Sequence, residues 1–242
     1  MLKFRSQNTR GTKDNCAVSV SLQNQRKKRS TAESFNDLLF CALKLLGITI
    51  LKNFFAFKVK NYDSIPDRGP SIIAANHFSF MDPPVLQAAC PRRIIFLMTE
   101  KYYNPIWCRW FFKLMYCIPL RDETPYNIVP LKKGLKVLKE GKVIGIFPEG
   151  SVSSDGKIRE GMPGALLLGQ KSSAPIIPAY ISGTYQALPR HAKFFRKAKI
   201  EVIFGDRVSF GELSEGLKGK EGLKRGIKNL MERIKALAQN QK

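Results

Sequence analysis

The 242-residue sequence is short of acidic residues, of histidine and of regular cysteine spacing, and each shortage removes a class of protein. Its 19 Asp and Glu stand against 41 Lys and Arg, and it has two histidines and five cysteines. Five cysteines with no Cys-x-x-Cys spacing argue against a disulfide scaffold or a zinc ribbon and favour a reducing compartment. The sequence has no glycine period and no repeat of ~20–50 residues, which excludes collagen-like and solenoid folds. A hydrophobic content of 44% is enough for one α/β domain with an appendage.

The net charge of +22 is densest at the two ends of the chain. Residues 1–30 hold 8 basic and 1 acidic residue, and residues 190–242 hold 14 basic and 6 acidic residues. Such a field attracts phosphate-bearing partners, namely nucleic acid, anionic lipid or phosphorylated metabolites. Residues 1–30 have no apolar period and are predicted to be a disordered basic tail, with an organelle transit peptide as the alternative.

The most apolar window of the sequence lies in residues 35–58. Its length would suffice to cross a membrane, but Lys44 and Lys52 lie inside it, and a lysine at the centre of a span costs ~2.5–3.5 kcal/mol. At about 100° per residue, the polar residues fall in one arc of a helix, with Leu and Phe elsewhere and Asn53 as the exception; they are Asp37, Lys44, Lys52 and Lys58. We therefore predict an amphipathic helix over 31–59 that lies in the headgroup region of a membrane. A helix docked on its own domain and a true span are the alternatives.

Strands and helices alternate between residues 60 and 212, as in a domain whose parallel strands are joined by helical crossovers. The predicted strands are 71–76, 92–98, 117–121, 143–147, 175–181 and 200–204. One predicted helix begins at Asp82, which is its N-cap. Three further helices are predicted over 105–116, 129–140 and 163–170. The pattern predicts an α/β domain over 60–212 with a mainly parallel central sheet flanked by helices. A basic helix is predicted over 213–242.

His77 follows a buried strand directly, in Asn76-His77-Phe78-Ser79-Phe80-Met81-Asp82. Loops at the carboxyl ends of strands are where open α/β sheets bind their ligands. Asp82 is placed to accept a hydrogen bond from one imidazole nitrogen of His77, which would leave the other free to take a proton from a hydroxyl. The alternative is that Asp82 only caps the helix and His77 only ends the strand. One histidine without further ligands does not make a zinc site, so no metal is expected.

A second polar cluster, Glu149-Gly150-Ser151, follows the strand over 143–147. Glycine lets the backbone approach a ligand closely, and a carboxylate and a hydroxyl lie beside it. Arg121 ends a short predicted strand, where a guanidinium is suited to clamp a phosphate. The alternatives are a turn that merely ends the strand and a solvated arginine.

Four blocks in this order resemble the 1-acylglycerol-3-phosphate acyltransferase family. They are NHFSFMD (76–82), IPLR (118–121), FPEGS (147–151) and APIIPAYISGTYQALPR (174–190). The resemblance spans roughly residues 55–210 and implies a membrane-associated enzyme of phospholipid biosynthesis. The expected reaction moves a fatty acyl group from acyl-carrier protein or coenzyme A to lysophosphatidic acid and forms phosphatidic acid, without a cofactor or an acyl-enzyme.

The resemblance also implies roles for individual residues. His77 would be the general base on the acceptor hydroxyl, and Asp82 would orient it. Arg121, Glu149, Gly150 and Ser151 would hold the glycerol phosphate. The expected location is peripheral or monotopic on the cytoplasmic face of a membrane, with an anionic lipid surface as a partner.

The third block departs from the family's common pattern F-P-E-G-T-R-S. Ser151 replaces threonine, Val152 stands where arginine is usual, and Met162 occupies a place often held by lysine. The acceptor therefore stays open between lysophosphatidate, another lysophospholipid and a different lyso-lipid. A non-catalytic basic protein that binds membrane or nucleic acid is the rival from another class. No base-recognition motif is present, so no specific nucleic-acid partner is expected.

Overall fold

The computed structural model describes residues 31–99, 112, 115, 117–120, 129–190, 192 and 194–239. The chain divides into a unit of residues 1–39 and a unit of residues 40–242. The first unit is described only over 31–39, where the helix α1 begins; the second contains the sheet. The predicted tail over 1–30 and the predicted helix over 105–116 fall largely or wholly outside the described residues.

The elements alternate along the second unit. The helices are α1 (Thr31–Phe55), α2 (Asp82–Ala89), α3 (Val129–Lys139), α4 (Gly164–Ser172), α5 (Thr184–Ala187), α6 (Phe210–Leu213) and α7 (Gly219–Gln239). The strands are β1 (Lys58–Lys60), β2 (Ser71–Ala75), β3 (Ile94–Thr99), β4 (Ile118–Leu120), β5 (Val143–Ile146), β6 (Ile176–Ser182) and β7 (Glu201–Phe204). A 3₁₀ turn covers Tyr62–Ser64.

The strands form one sheet in the order β1-β7-β6-β2-β5-β3-β4. Every pairing is parallel except that of β6 with β7. Strand β2 pairs with β5 on one side and β6 on the other, and all five of its residues are buried. The register sets Ala74 beside Ile146, so the loops after β2 and β5 leave the same edge together. This confirms the predicted fold class, an α/β domain with a mainly parallel sheet.

Both faces of the sheet are covered, which explains why its strands are continuously apolar rather than alternating. On one face, α2 and the C-terminal half of α1 pack on a core that includes Ile73, Leu86 and Phe96. On the other face, helices α3, α4 and α7 cover Ile72 and Ile144. Apolar residues recur with a helical period in the last segment of the chain, which predicts that α7 packs one face on the core.

From Phe40 onward, helix α1 packs on the domain with Lys44 facing inward, whereas Lys52 is exposed. Phe40, Leu51 and Phe55 are buried, and Nζ of Lys44 donates a hydrogen bond of 2.6 Å to the carbonyl of Cys90, at the C-terminus of α2. Lys44 therefore faces the domain and not a membrane surface, because its ammonium satisfies a carbonyl at the end of that helix. Burial lowers the pKa of this ammonium.

The opposite face of α1 is apolar and open to solvent. Leu45 is 65% exposed, Leu46 55% and Phe54 64%. The window Asn36–Phe55 has a mean hydropathy of 1.8, and its length and composition would suffice to cross a membrane. An apolar helix thus precedes the sheet, and its exposed apolar face points away from the domain core.

Candidate active site

His77 and Asp82 meet in the loop between β2 and α2. Nδ1 of His77 lies 2.9 Å from Oδ2 of Asp82, whose side chain has no solvent exposure. The same Oδ2 accepts the backbone N–H groups of Phe78 at 2.6 Å and Ser79 at 2.7 Å. Asp82 is the first residue of α2, and the N-cap is Met81, so the predicted N-cap position of Asp82 is wrong by one residue. Its carboxylate folds back on the loop and so shapes it.

This contact fixes what the imidazole can do. An ionised carboxylate only accepts hydrogen bonds, so Nδ1 carries the proton and donates it, and Nε2 keeps its lone pair. The side chain of His77 is 14% exposed. Its ring stacks on Phe147 with centroids 4.1 Å apart and planes 19° from parallel. Phe147 follows β5, so the two loops at this sheet edge together hold the ring.

Asn76 and Ser79 tie the histidine loop to β6 and to the chain that follows it. The side-chain amide of Asn76 donates to the carbonyl of Ile181 at 2.9 Å, and its oxygen accepts the N–H of Ile181 at 2.7 Å. The hydroxyl of Ser79 donates to the carbonyl of Leu188 at 2.7 Å. Both side chains are buried, and they therefore position His77 rather than react. Sequence reasoning assigned them no such role.

Glu149 lies directly behind the histidine. Its Oε1 accepts the backbone N–H of His77 at 3.0 Å, and its Oε2 accepts the backbone N–H of Arg159 at 3.3 Å. The side chain has no solvent exposure. Burial raises the pKa of its carboxyl, against the opposing effects of these hydrogen bonds and of the Arg159 guanidinium. Glu149 thus reaches the site through the backbone of His77.

The next two residues complete the turn. Gly150 has φ +72°, so the backbone needs glycine there, and the terminal methyl of the exposed Met162 lies over the position that a Cβ would take. Ser151 is exposed beside it. The structure therefore brings Glu149, Gly150 and Ser151 together with the dyad at one edge. Arg121, also predicted for this site, lies outside the described residues.

Arg159 is a cation of this site that the sequence pattern did not indicate. Its Nη2 donates to the carbonyl of Ser151 at 2.6 Å and to the hydroxyl of Ser151 at 3.2 Å. Its Nε lies 3.5 Å from Oε2 of Glu149, and its side chain is 42% exposed. Val152, where the family commonly has arginine, is buried. A guanidinium from farther along the chain therefore lies on this turn.

An apolar groove opens between α1 and α2, with a volume of about 510 Å³. Helix α1 supplies Ile50 and Phe54, and Val85 of α2 faces them. Phe195, from the segment before β7, also lines the groove. Met81, the residue before Asp82, lies in its wall, so the groove extends to the loop that carries the dyad.

Comparison with known proteins decides the family. A model of the family Acyltransferase matches residues 56–182, more than half of the chain. A 1-acyl-sn-glycerol-3-phosphate acyltransferase of Bacillus subtilis is 30% identical over 200 residues, which cover 82% of this chain and 95% of that protein. This chain belongs to the 1-acylglycerol-3-phosphate acyltransferase family. It is an acyltransferase, and the resemblance carried by the four sequence blocks is confirmed.

More distant relatives agree with this assignment. The chloroplastic 1-acyl-sn-glycerol-3-phosphate acyltransferase LPAT1 of Arabidopsis thaliana is 27% identical over 148 residues, which cover 60% of this chain and 41% of that protein. The crystal structure of the 1-acyl-sn-glycerophosphate acyltransferase PlsC from Thermotoga maritima superposes with a TM-score of 0.70. At 21% identity, over 93% of this chain and 90% of that one, this likeness shows that the two acyltransferases share a fold.

Proposed function

We propose that this acyltransferase moves a fatty acyl group from acyl-carrier protein or coenzyme A to the free hydroxyl of lysophosphatidic acid and so forms phosphatidic acid. The observation that carries the proposal is the 2.9 Å contact between His77 and Asp82 at the sheet edge of a member of this family. A base with one nitrogen held by a carboxylate and the other free is what deprotonation of a hydroxyl requires.

The chemistry needs one proton acceptor and no covalent enzyme intermediate. Nε2 of His77 takes the proton of the acceptor hydroxyl as its oxygen attacks the thioester carbonyl. A carbon–oxygen bond forms, the carbon–sulfur bond breaks, and the imidazolium returns the proton to the departing sulfur. Asp82 stabilises the imidazolium and keeps the ring oriented, as a carboxylate beside a catalytic histidine does elsewhere. The thioester is already activated, so the proposal requires no metal or cofactor.

Glu149 acts in this scheme as a positioning residue. Its two oxygens hold the backbone N–H groups of His77 and Arg159, and its side chain is closed to solvent. We therefore propose that Glu149 fixes the position of His77 at the sheet edge and does not contact the acceptor directly. Direct contact stays assigned to Gly150 and Ser151, which are both exposed, and to Arg121.

Arg159 supplies the positive charge for the phosphate of the acceptor. Two of its nitrogens are occupied by Ser151 and Glu149, while no contact of Nη1 is found within the described residues. A guanidinium held on one edge and open on another is suited to a phosphate oxygen. Arg159 thus replaces the cations that the family commonly has at two other positions. Here those positions hold Val152, which is buried, and Met162, which is 57% exposed but uncharged.

Met162 also favours a second candidate acceptor. A thioether lies over Gly150 where the family often has lysine. An uncharged surface at that point suits a lyso-lipid with less negative charge than lysophosphatidate. The two candidates share the same attack on a thioester and differ only in the headgroup.

The test is release of free thiol from acyl-coenzyme A and from acyl-carrier protein with a panel of lyso-lipids. We expect the fastest release with lysophosphatidic acid and the appearance of phosphatidic acid. Preference for a neutral or zwitterionic lyso-lipid would replace the first candidate by the second. No thiol release with any acceptor would overturn the enzymatic proposal and favour the rival, a basic binding protein.

We further propose that α1 attaches the enzyme peripherally to the cytoplasmic face of a membrane. The support is the exposed apolar face of α1, combined with the inward hydrogen bond of Lys44 to Cys90. A spanning helix would have to leave the domain and abandon that contact. A helix that lies in the interface keeps both.

A further inference from the structure

Two adjacent aromatic side chains stand out of the segment between α5 and β7. Phe194 is 81% exposed and Phe195 is 65% exposed. Exposed neighbouring phenylalanines are costly in water and commonly mark a binding surface. Neither belongs to the catalytic machinery described above, and the sequence blocks of the family end before them.

The surroundings of this pair are strongly basic. The stretch over 188–200 contains five Lys and Arg and no Asp or Glu. Arg196 and Lys197, which follow the two rings directly, are exposed. An apolar tip beside cations is the composition of a segment that enters the headgroup layer of an anionic membrane.

Backbone hydrogen bonds hold the chain that follows the two rings. The N–H of Arg196 donates to the carbonyl of Ala187 in α5 at 2.8 Å. Farther on, the N–H of Ile200 donates to the carbonyl of Phe55 at the end of α1 at 2.9 Å. Because this backbone is attached to α5 and to α1, less conformational entropy is lost when the two rings meet a surface.

The tip also continues the apolar face of α1. The rings of Phe195 and Phe55 meet edge to face, with centroids 6.3 Å apart. Phe195 lines the same groove as Phe54 and Ile50, which are themselves exposed at 64% and 44%. One contiguous apolar surface therefore joins the helix to the loop, at the mouth of the groove that extends to Met81.

We propose that Phe194 and Phe195 form a second membrane-insertion element, which enters an anionic lipid surface together with α1. The occupant is a bilayer because the two exposed rings are followed directly by the exposed cations Arg196 and Lys197 and continue the apolar face of α1. Two contacts fix the orientation of the domain on the membrane, whereas one helix would let it rotate. The proposal goes beyond acyl transfer and does not require it.

The experiment is cosedimentation of the full chain with vesicles of phosphatidylcholine and phosphatidylglycerol, without substrate. We expect F194S/F195S to bind at least about tenfold more weakly, which corresponds to ~1.4 kcal/mol. The matched control is Y62S/L217S, which removes two residues that are 53% and 39% exposed elsewhere. We expect the control to bind within about twofold of the unaltered chain, which corresponds to ~0.4 kcal/mol. F194S alone tests the tip while it keeps the contact of Phe195 with Phe55, should the double variant unfold.

Two double substitutions of cations test the electrostatic contribution to vesicle binding. R196Q/K197Q should bind more weakly than K218Q/K220Q, which removes the same charge at the start of α7, and the difference should shrink at high salt. Equal binding of F194S/F195S and the unaltered chain, or an equal loss in Y62S/L217S, would overturn the proposal. So would a lipid-free dimer that F194S/F195S dissociates, because the surface would then bind a second copy. Since no turnover is measured, failure here is distinct from failure of the proposed reaction.

Discussion

At the scale of single residues, Glu149 shows how a buried carboxylate serves the site without touching substrate. Glu149→Gln keeps one acceptor oxygen but turns an amide N–H toward one of the two backbone N–H groups. A buried donor left without a partner costs ~1–3 kcal/mol, and the backbone of His77 is what moves. We therefore expect a lower free energy of unfolding by that amount and a lower kcat. Urea unfolding and thiol release measure the two effects.

The same substitution has a pH signature. Burial raises the pKa of the Glu149 carboxyl in the folded state, so the folded chain binds this proton at a higher pH than the unfolded chain does. The free energy of unfolding contributed by this group therefore falls as pH rises through the raised pKa. Stability of the unaltered chain relative to Glu149→Gln should grow as pH drops from neutrality toward the acid range. If the difference in unfolding free energy between the two chains does not change with pH, the pKa of the Glu149 carboxyl is not raised by burial.

Arg159 carries a second prediction at this scale. Arg159→Ala should raise KM for lysophosphatidic acid at least about tenfold, since a charge-assisted hydrogen bond to a phosphate is worth ~1.5–3 kcal/mol. KM for an uncharged lyso-lipid should change little. The control is Lys157→Ala, which removes an exposed cation two residues away. An equal rise for charged and uncharged acceptors would show that Arg159 only supports the turn.

At the scale of elements, strand β5 controls the histidine through a stack of rings. A Cβ on Gly145 would overlap the Phe96 ring and come within 2.7 Å of Ile94. Phe96 lies parallel to Phe147, with centroids 5.9 Å apart, and Phe147 in turn stacks on His77. Gly145→Ala should therefore displace the stack and cost ~1–3 kcal/mol of stability as overpacking.

We expect kcat of Gly145→Ala to fall more than KM changes, because the ring of the base moves. Thermal unfolding and steady-state kinetics measure this. Gly164→Ala is the control, since a Cβ there meets nothing within 4 Å. A fully active Gly145→Ala would show that the stack does not set the position of His77.

The sequence predicted those features that depend on nearby residues or on a clear period. The pairing of His77 with Asp82 was predictable because both lie in one loop that starts a helix. Among the strands that the structure describes, six of seven were predictable from apolar runs, but β1 was not, since Lys58–Lys60 is too short for any period to show. Arg159 was missed because its contact with Ser151 depends on how the intervening turn folds. Docking of α1 on the domain was only an alternative to the interfacial helix, because a lysine is normally assigned to solvent.

At the scale of the whole molecule, the apolar surface of α1 predicts how the enzyme meets a membrane. Alkaline carbonate should release the full chain, and Leu45→Ser/Leu46→Ser should weaken membrane association. Both side chains are exposed, so their replacement leaves the core intact. Deletion of residues 1–58 is a less specific test, because it would also remove Phe40, Leu51 and Phe55 from the core. Resistance to carbonate, with residue 1 across the membrane from the domain, would show that α1 spans after all.

The most direct test of the central claim is turnover of His77→Ala. Loss of a general base lowers a rate by ~10²–10⁴-fold, and no other described side chain takes the place of Nε2. We expect thiol release from acyl-coenzyme A to fall by at least about 10²-fold, while vesicle binding and thermal stability stay close to those of the unaltered chain. If His77→Ala keeps most of its thiol release, His77 is not the base and the proposed mechanism is wrong.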